Sequence, residues 1–228
     1  IFWNIGREST KDETFSSKEQ AVVAAYLQQG GAIAVSGSEI GYDLDNKGSS
    51  SDKAFLKTWF GASFQSDDGK VYKITPSPSG IFANLSTIQL DDGTHGGYRA
   101  TSPDVFQTHN GAAPALLYNG SSNTAAMTFK GAQHRSVLLG FPLETMVSST
   151  LRTELYRKIL FFLLGSKPII HEPLAEPLPE ASDPKEPLYE QNPHEPKTEP
   201  IQETREPASE FLMPDIHDAS GDKDSSSP

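Results

Sequence analysis

Apolar positions along the first 165 residues fall in short blocks whose spacing alternates between extended and helical. Residues 1–5, Ile-Phe-Trp-Asn-Ile, read as the end of a strand, and residues 6–14 are polar and loop-like. Ser16-Ser17-Lys18-Glu19 then fits a capping box, in which a Ser hydroxyl accepts from an orphan amide while Glu reaches back to the cap. The spacing predicts a helix from there to about Gln29, with Val22, Ala25, Tyr26 and Leu27 on its buried side. Gly30 and Gly31 stop it, because glycine tolerates positive φ. Residues 32–36 form an apolar run without alternation, which suits a strand covered on both faces as in a parallel sheet. Strand, helix, Gly-Gly, strand is a βαβ pattern. A second helix is predicted over 52–60, with Phe55, Leu56 and Trp59 inward.

The middle of the chain reads as strands and turns. Residues 70–74, 87–90, 115–118, 125–129 and 136–139 are predicted strands. Asp68-Gly69, Asp92-Gly93, Asn110-Gly111 and Asn119-Gly120 mark turns between them. A last helix is predicted over 149–164. There Leu151, Leu155, Ile159 and Phe162 recur at helical spacing, and Gly165 is a natural stop.

After Lys167 the pattern ends. This stretch holds 12 of the 17 prolines and six irregularly spaced Glu-Pro pairs. Proline blocks helix and ladder bonds, and too few apolar residues remain to offset ordering entropy. The expectation is one α/β domain over 1–166 and a disordered acidic Pro/Glu-rich tail or linker over 167–228. Phe211-Leu212-Met213 is a candidate short linear motif within that tail.

Charge follows the same boundary. The chain carries a net −11. Residues 167–228 contribute 15 acids and 5 bases, leaving 15 acids and 14 bases in 1–166. The domain is thus nearly neutral, with no basic surplus to bind nucleic acid. There is no cysteine, which excludes disulfides, thiolate metal sites and a cysteine nucleophile. The best apolar run, 159–164, is six residues long, against roughly 20 needed to span a bilayer. No signal peptide is visible. The chain opens without Met on an apolar segment, so it reads as a fragment or processed product of a longer protein.

The most distinctive stretch is Gly30-Gly31-Ala-Ile-Ala-Val-Ser-Gly-Ser-Glu-Ile-Gly-Tyr-Asp-Leu44. With Trp3-Asn4-Ile5-Gly6, Thr14-Phe15 and Gly140-Phe-Pro-Leu-Glu144, it resembles a module of the class I glutamine amidotransferase-like superfamily. Such modules occur in large exported bacterial proteins, some labelled xanthan lyases or cell-wall amidases. The resemblance covers roughly residues 1–165 and implies a flavodoxin-like three-layer α/β sandwich with a mostly parallel sheet. It also implies one or more strands before Ile1, an extracellular or periplasmic setting, and neighbouring domains as partners. In catalytic relatives a Gly-Gly strand leads to an elbow Cys, and a late segment delivers His and Glu. Here Gly37 or Ser38 stands at the Cys position and Pro142 at the His position. Only Glu144 keeps its counterpart. The thioester route therefore has neither nucleophile nor base.

Ser36, Ser38, Glu39 and Asp43 lie just past the end of a predicted parallel strand, where ligands bind in open α/β sheets. Ser38 reads as a nucleophile or hydrogen-bond donor and Glu39 as a base or ligand. Alternatively, Ser38 caps a turn and Glu39 pairs with an amide or a buried Arg. Glu39, Asp43, Asp45 and Glu144 could hold a hard cation through oxygen. Their spacing fits no EF-hand loop, and solvated loop acids are the alternative, so neither metal nor cofactor is expected. His95, in a Gly-rich loop, could reach the site or be plainly exposed. His134 reads as an edge residue. Arg152 is expected to pair with Glu144 or Glu39.

These features lead to a non-catalytic module that binds carbohydrate or a neighbouring domain. The alternative is an enzyme with a replaced triad: a Ser-based hydrolase, or part of a polysaccharide lyase of the xanthan-lyase type. A cation-dependent interaction domain rests only on the loop acids.

Overall fold

The computed structural model describes residues 1–165. The tail expected over 167–228, with its 211–213 motif, lies outside the described residues. The elements run β1 (Phe2–Gly6), α1 (Ser17–Gln28), β2 (Ala32–Gly37), a π turn (Tyr42–Asn46), α2 (Ser50–Phe60), β3 (Ala62–Ser66) and β4 (Lys73–Pro76). There follow β5 (Ile88–Gln89), β6 (Val105–Thr108), β7 (Ala113–Tyr118), β8 (Thr124–Lys130), β9 (Arg135–Leu139), a 3-10 turn (Leu143–Thr145) and α3 (Ser149–Leu164).

Local chemistry starts and stops each helix. Ser16 and Glu19 close a reciprocal capping box at α1, and Ser49 with Asp52 does the same at α2. The Ser148 hydroxyl accepts from the Leu151 amide at the start of α3, and Gly165 ends that helix in the left-handed conformation. No helix among the described residues is long and apolar enough to cross a membrane.

The strands form one mixed sheet in the order β1-β2-β9-β8-β7-β4-β5, with β6 joining β8 and β3 joining β6. Its parallel part is the trio β1, β2 and β9. The other six pairings are antiparallel. The chain is therefore α/β as expected, with the predicted βαβ unit at its start and an antiparallel extension built from the turn-rich middle.

Helices cover both faces. Val23 and Leu27 of α1 and Phe55, Leu56 and Phe60 of α2 bury against Ile33, Val35 and Leu138. Leu155, Ile159 and Leu163 of α3 bury against Ala34, Val137 and Leu139 on the opposite face. Alternate residues of β2 thus serve two cores, which is why that strand reads as an unbroken apolar run.

The buried side of α1 differs from the sequence expectation. Gln20, Val23 and Leu27 point inward, whereas Val22 is 70% exposed and Ala25 lies outside. The Gln20 amide donates to the Phe15 carbonyl at 2.9 Å and to the Asp52 carboxylate at 2.8 Å. These two bonds turn the line through 20, 23 and 27 toward the sheet. His134, expected at an edge, is buried. It precedes β9, which is paired on both sides, and its ring sits edge-on between Trp59 and Phe129.

Gly61 joins α2 to β3 at φ +62°. A Cβ there would lie 2.7 Å from the Ala112 methyl and 2.8 Å from the His109 carbonyl oxygen. Gly61→Ala is expected to destabilise the domain by more than about 1 kcal/mol, since both the backbone and the space reject a side chain. The check is a lower urea midpoint with an unchanged slope.

Candidate functional site

In the parallel trio, β2 leads to α2 on one face, while its neighbour β9 leads to α3 on the other. Adjacent strands that send the chain to opposite faces open a crevice at their carboxyl ends. Of the residues singled out from sequence, Ser36 lies near the end of β2, and Ser38, Glu39 and Glu144 lie in the segments leaving β2 and β9.

Two serines stitch this crevice shut. The Ser36 hydroxyl donates to the Phe141 carbonyl and accepts from the Leu143 amide, both at 2.9 Å. The Ser38 hydroxyl donates to the Thr101 carbonyl at 2.7 Å, and its amide donates to Gly6. Both serines are buried. Ser38 is thus committed to a backbone oxygen rather than to an imidazole.

The apex of the turn is Glu39, with φ +65°. β2 ends at Gly37, and helical backbone begins at Ile40. In a strand-to-helix elbow, the residue at this sharp turn is the one presented above the sheet. Matching the sequence to amidotransferases pointed to Gly37 or Ser38, but the geometric apex lies one or two residues later. Glu39 is only 5% exposed, and its Oε2 has no hydrogen-bond partner. Burial pushes its carboxyl up, helped by the charge of Asp67 and opposed by Ser102 and Lys47.

Asp104 lies beneath the elbow, fully buried. Its carboxylate accepts from the Gly41 amide at 2.8 Å and the Tyr42 amide at 3.3 Å. Burial raises its pKa well above the carboxylate range, and the nearby Glu39 charge adds to that, against the pull of the two amides. Two neighbouring buried carboxyls thus both resist ionisation. Sequence reasoning missed Asp104; the available signal was a lone acid in the apolar run Pro103-Asp104-Val105-Phe106.

Glu144 stands exposed at the rim and accepts from the Tyr98 hydroxyl at 2.5 Å. Burial and then this bond raise the Tyr98 pKa, so the phenol stays protonated and acts as a donor rather than a base. Arg152 does not form the expected ion pair with Glu39 or with the Glu144 carboxylate. Its guanidinium donates to the backbone carbonyls of Glu144 at 2.9 Å and Met146 at 3.2 Å. Those carbonyls lie within and just after the 3-10 turn, eight and six residues before Arg152.

The remaining candidates disperse. Asp43 accepts from the Thr14 amide and pairs with Lys47 at 2.9 Å. Asp45 accepts from the Phe64 amide and lies 3.7 Å from Lys53. Of the four acids proposed as cation ligands, Asp43, Asp45 and Glu144 are therefore committed elsewhere, and the buried Glu39 does not gather with them. His95 is exposed and contacts Asp91, Asp92 and Thr94. These first three residues alone bring potential ligand atoms within 4.8 Å of one another among the described residues. Burial works to raise the Asp91 pKa, but amides of Gly93, Gly97 and His95 hold it below the usual range. One contact had no signal in the sequence: Ser63 Oγ and His109 Nε2 share a hydrogen bond at 2.7 Å across β3 and the end of β6.

No family model and no curated protein matches this chain. Among solved structures it overlaps a cold-adapted β-galactosidase from Rahnella sp. R3 at 16% identity and TM-score 0.43, over 63% of this chain and 20% of that one. Gan42B, a GH42 β-galactosidase from G. stearothermophilus, overlaps at 14% identity and TM-score 0.45, over 64% and 19%. The mmIFT52 N-terminal domain overlaps at 12% identity and TM-score 0.45, over 67% and 73%. The chain spans about a fifth of the length of the two β-galactosidases.

Folding raises the proton affinity of Glu39, so this group favours the folded state below the ordinary carboxylate range. That contribution is lost as pH rises through the raised folded value. Glu39→Gln is accordingly expected to melt higher than the parent at pH 7, with the gap narrowing toward pH 4. Ser36→Ala leaves a buried amide and carbonyl unpartnered and is expected to destabilise by about 1 to 3 kcal/mol in chemical unfolding.

Proposed function

We propose that this domain is a non-catalytic α/β module of an exported multidomain bacterial protein, binding carbohydrate or a neighbouring domain. On this reading the parallel trio and its helices belong to a flavodoxin-like, amidotransferase-related sandwich whose chemistry has been lost. The observation that carries it is the stitched crevice. Where a ligand would enter between β2 and β9, Ser36 and Ser38 bond to backbone atoms of the facing segments. The apex position holds a carboxyl whose proton affinity burial raises, and the Ser38 hydroxyl beside it is committed to a backbone carbonyl. The Tyr98 phenol at the rim is held as a donor to Glu144.

A second reading, a serine hydrolase, draws on the Ser63–His109 hydrogen bond. That pair has the nucleophile–base distance such chemistry requires.

Purified chain incubated with glutamine, p-nitrophenyl acetate and xanthan separates the two. The module reading expects no turnover of any of them above buffer, with identical traces from Ser38→Ala and Ser63→Ala. Ester hydrolysis that disappears in Ser63→Ala would install the second reading in its place.

A further inference from the structure

The opposite end of the sheet carries a different combination of groups. Two cavities flank the loop entering β9 and share Ala132, Gln133 and His134. The larger, about 330 Å³, is bounded by Trp59, Leu27, Thr58, Gln28 and Gln133. It sits at the lower end of the roughly 300–1,000 Å³ typical of ligand clefts. Trp59 is half-buried, whereas Thr58, Gln28 and Gln133 are exposed. An aromatic wall ringed by amides and a hydroxyl, with no charge, matches a sugar ring, which has apolar C–H faces and hydroxyls around its edge.

His134 braces the aromatic wall from behind. Its Nε2 meets the Trp59 carbonyl at 3.1 Å, and a carbonyl can only accept, so Nε2 carries the proton. The Ser136 hydroxyl donates to the same Trp59 carbonyl at 2.7 Å, which fixes the tryptophan backbone from a second side.

The smaller cavity, about 170 Å³, is bounded by Lys130, Arg135 and the backbone of Gly30, Gly31 and Gly131. Lys130 and Arg135 stand directly opposite each other across β8 and β9. Like charges in that position destabilise a sheet. Neither takes part in any of the ion pairs among the described residues. Arg135 packs across Gly165 at the end of α3, where the helix dipole favours a cation. Lys130 is exposed. The pair is thus a cationic notch beside an uncharged aromatic one.

We infer that the loop between β8 and β9 is a binding site for an acidic saccharide. One sugar ring lies against Trp59, and the carboxylate of a uronate unit lies between Lys130 and Arg135. This rests on the carbohydrate arm of the proposed function and deepens it by naming the surface and the ligand charge.

Calorimetric titration of the full chain with trigalacturonate, cellotriose and sodium sulfate tests it. Trigalacturonate is expected to bind, and to bind more weakly as salt rises. Lys130→Gln and Trp59→Ala should each weaken it by about tenfold or more. Trp59 also packs against the core, so the melting temperature of each variant is measured alongside. If Trp59→Ala fails to fold, Lys130→Gln and Arg135→Gln decide. Trigalacturonate binding unchanged in the folded variants overturns this site but leaves a carbohydrate module standing. Cellotriose binding as tightly as trigalacturonate overturns the acidic ligand. Sulfate binding without either saccharide reduces the notch to a general anion site and overturns the inference. Binding of none of the three removes the carbohydrate arm of the function as well.

Discussion

Asp104 is the constraint on which the carboxyl end of the sheet depends. β2 turns sharply at Glu39 in a left-handed conformation, which for a non-glycine residue costs about 1 to 3 kcal/mol. The helical backbone beyond it leaves amides of Gly41 and Tyr42 facing a dry interior, and the Asp104 carboxylate supplies their acceptors. The main chain of Asp104 is fixed in turn. Its amide donates to Gly140 beyond β9, and its carbonyl accepts from the fully buried Tyr118 hydroxyl on β7. One residue thus joins the elbow, the parallel trio and the antiparallel extension. Because the carboxyl is wholly buried, it does so against its own desolvation, which shows in a strongly raised pKa.

What the sequence made legible was whatever is decided locally. The capping box at Ser16 and Glu19, the stop at Gly165 and the unbroken apolar run of β2 each depend on neighbours within a few residues, and each stands where expected. The rotation of α1 was not legible, because Gln20 reaches Asp52, 32 residues away. β3 and β6 escaped notice because each is short, half polar and paired with the other over some 40 intervening residues. The extent of the antiparallel part followed from such distant pairings, so a reading based on the βαβ unit emphasised the parallel part.

The candidate site was legible as a place and not as an arrangement. Ser36, Ser38 and Glu39 were found because they follow an apolar strand, and they do gather at its carboxyl end. The partners of the two serines are Thr101, Phe141 and Leu143, which no spacing rule connects to them. The side-chain ion pair expected of Arg152 became two bonds to carbonyls because the 3-10 turn before it left those oxygens unsatisfied and near.

β9 extends from one set of chemical groups to the other. Arg135 begins it beside the cationic notch, and Leu139 ends it just before the segment held by Ser36. Along its length it is hydrogen-bonded to β2 on one side and β8 on the other. Transmission between sites requires two arrangements that a ligand can tell apart. A strand paired on both edges and packed on both faces has one. A ligand held at its beginning is therefore expected to leave its far end unchanged, because the strand offers no second arrangement to carry the change.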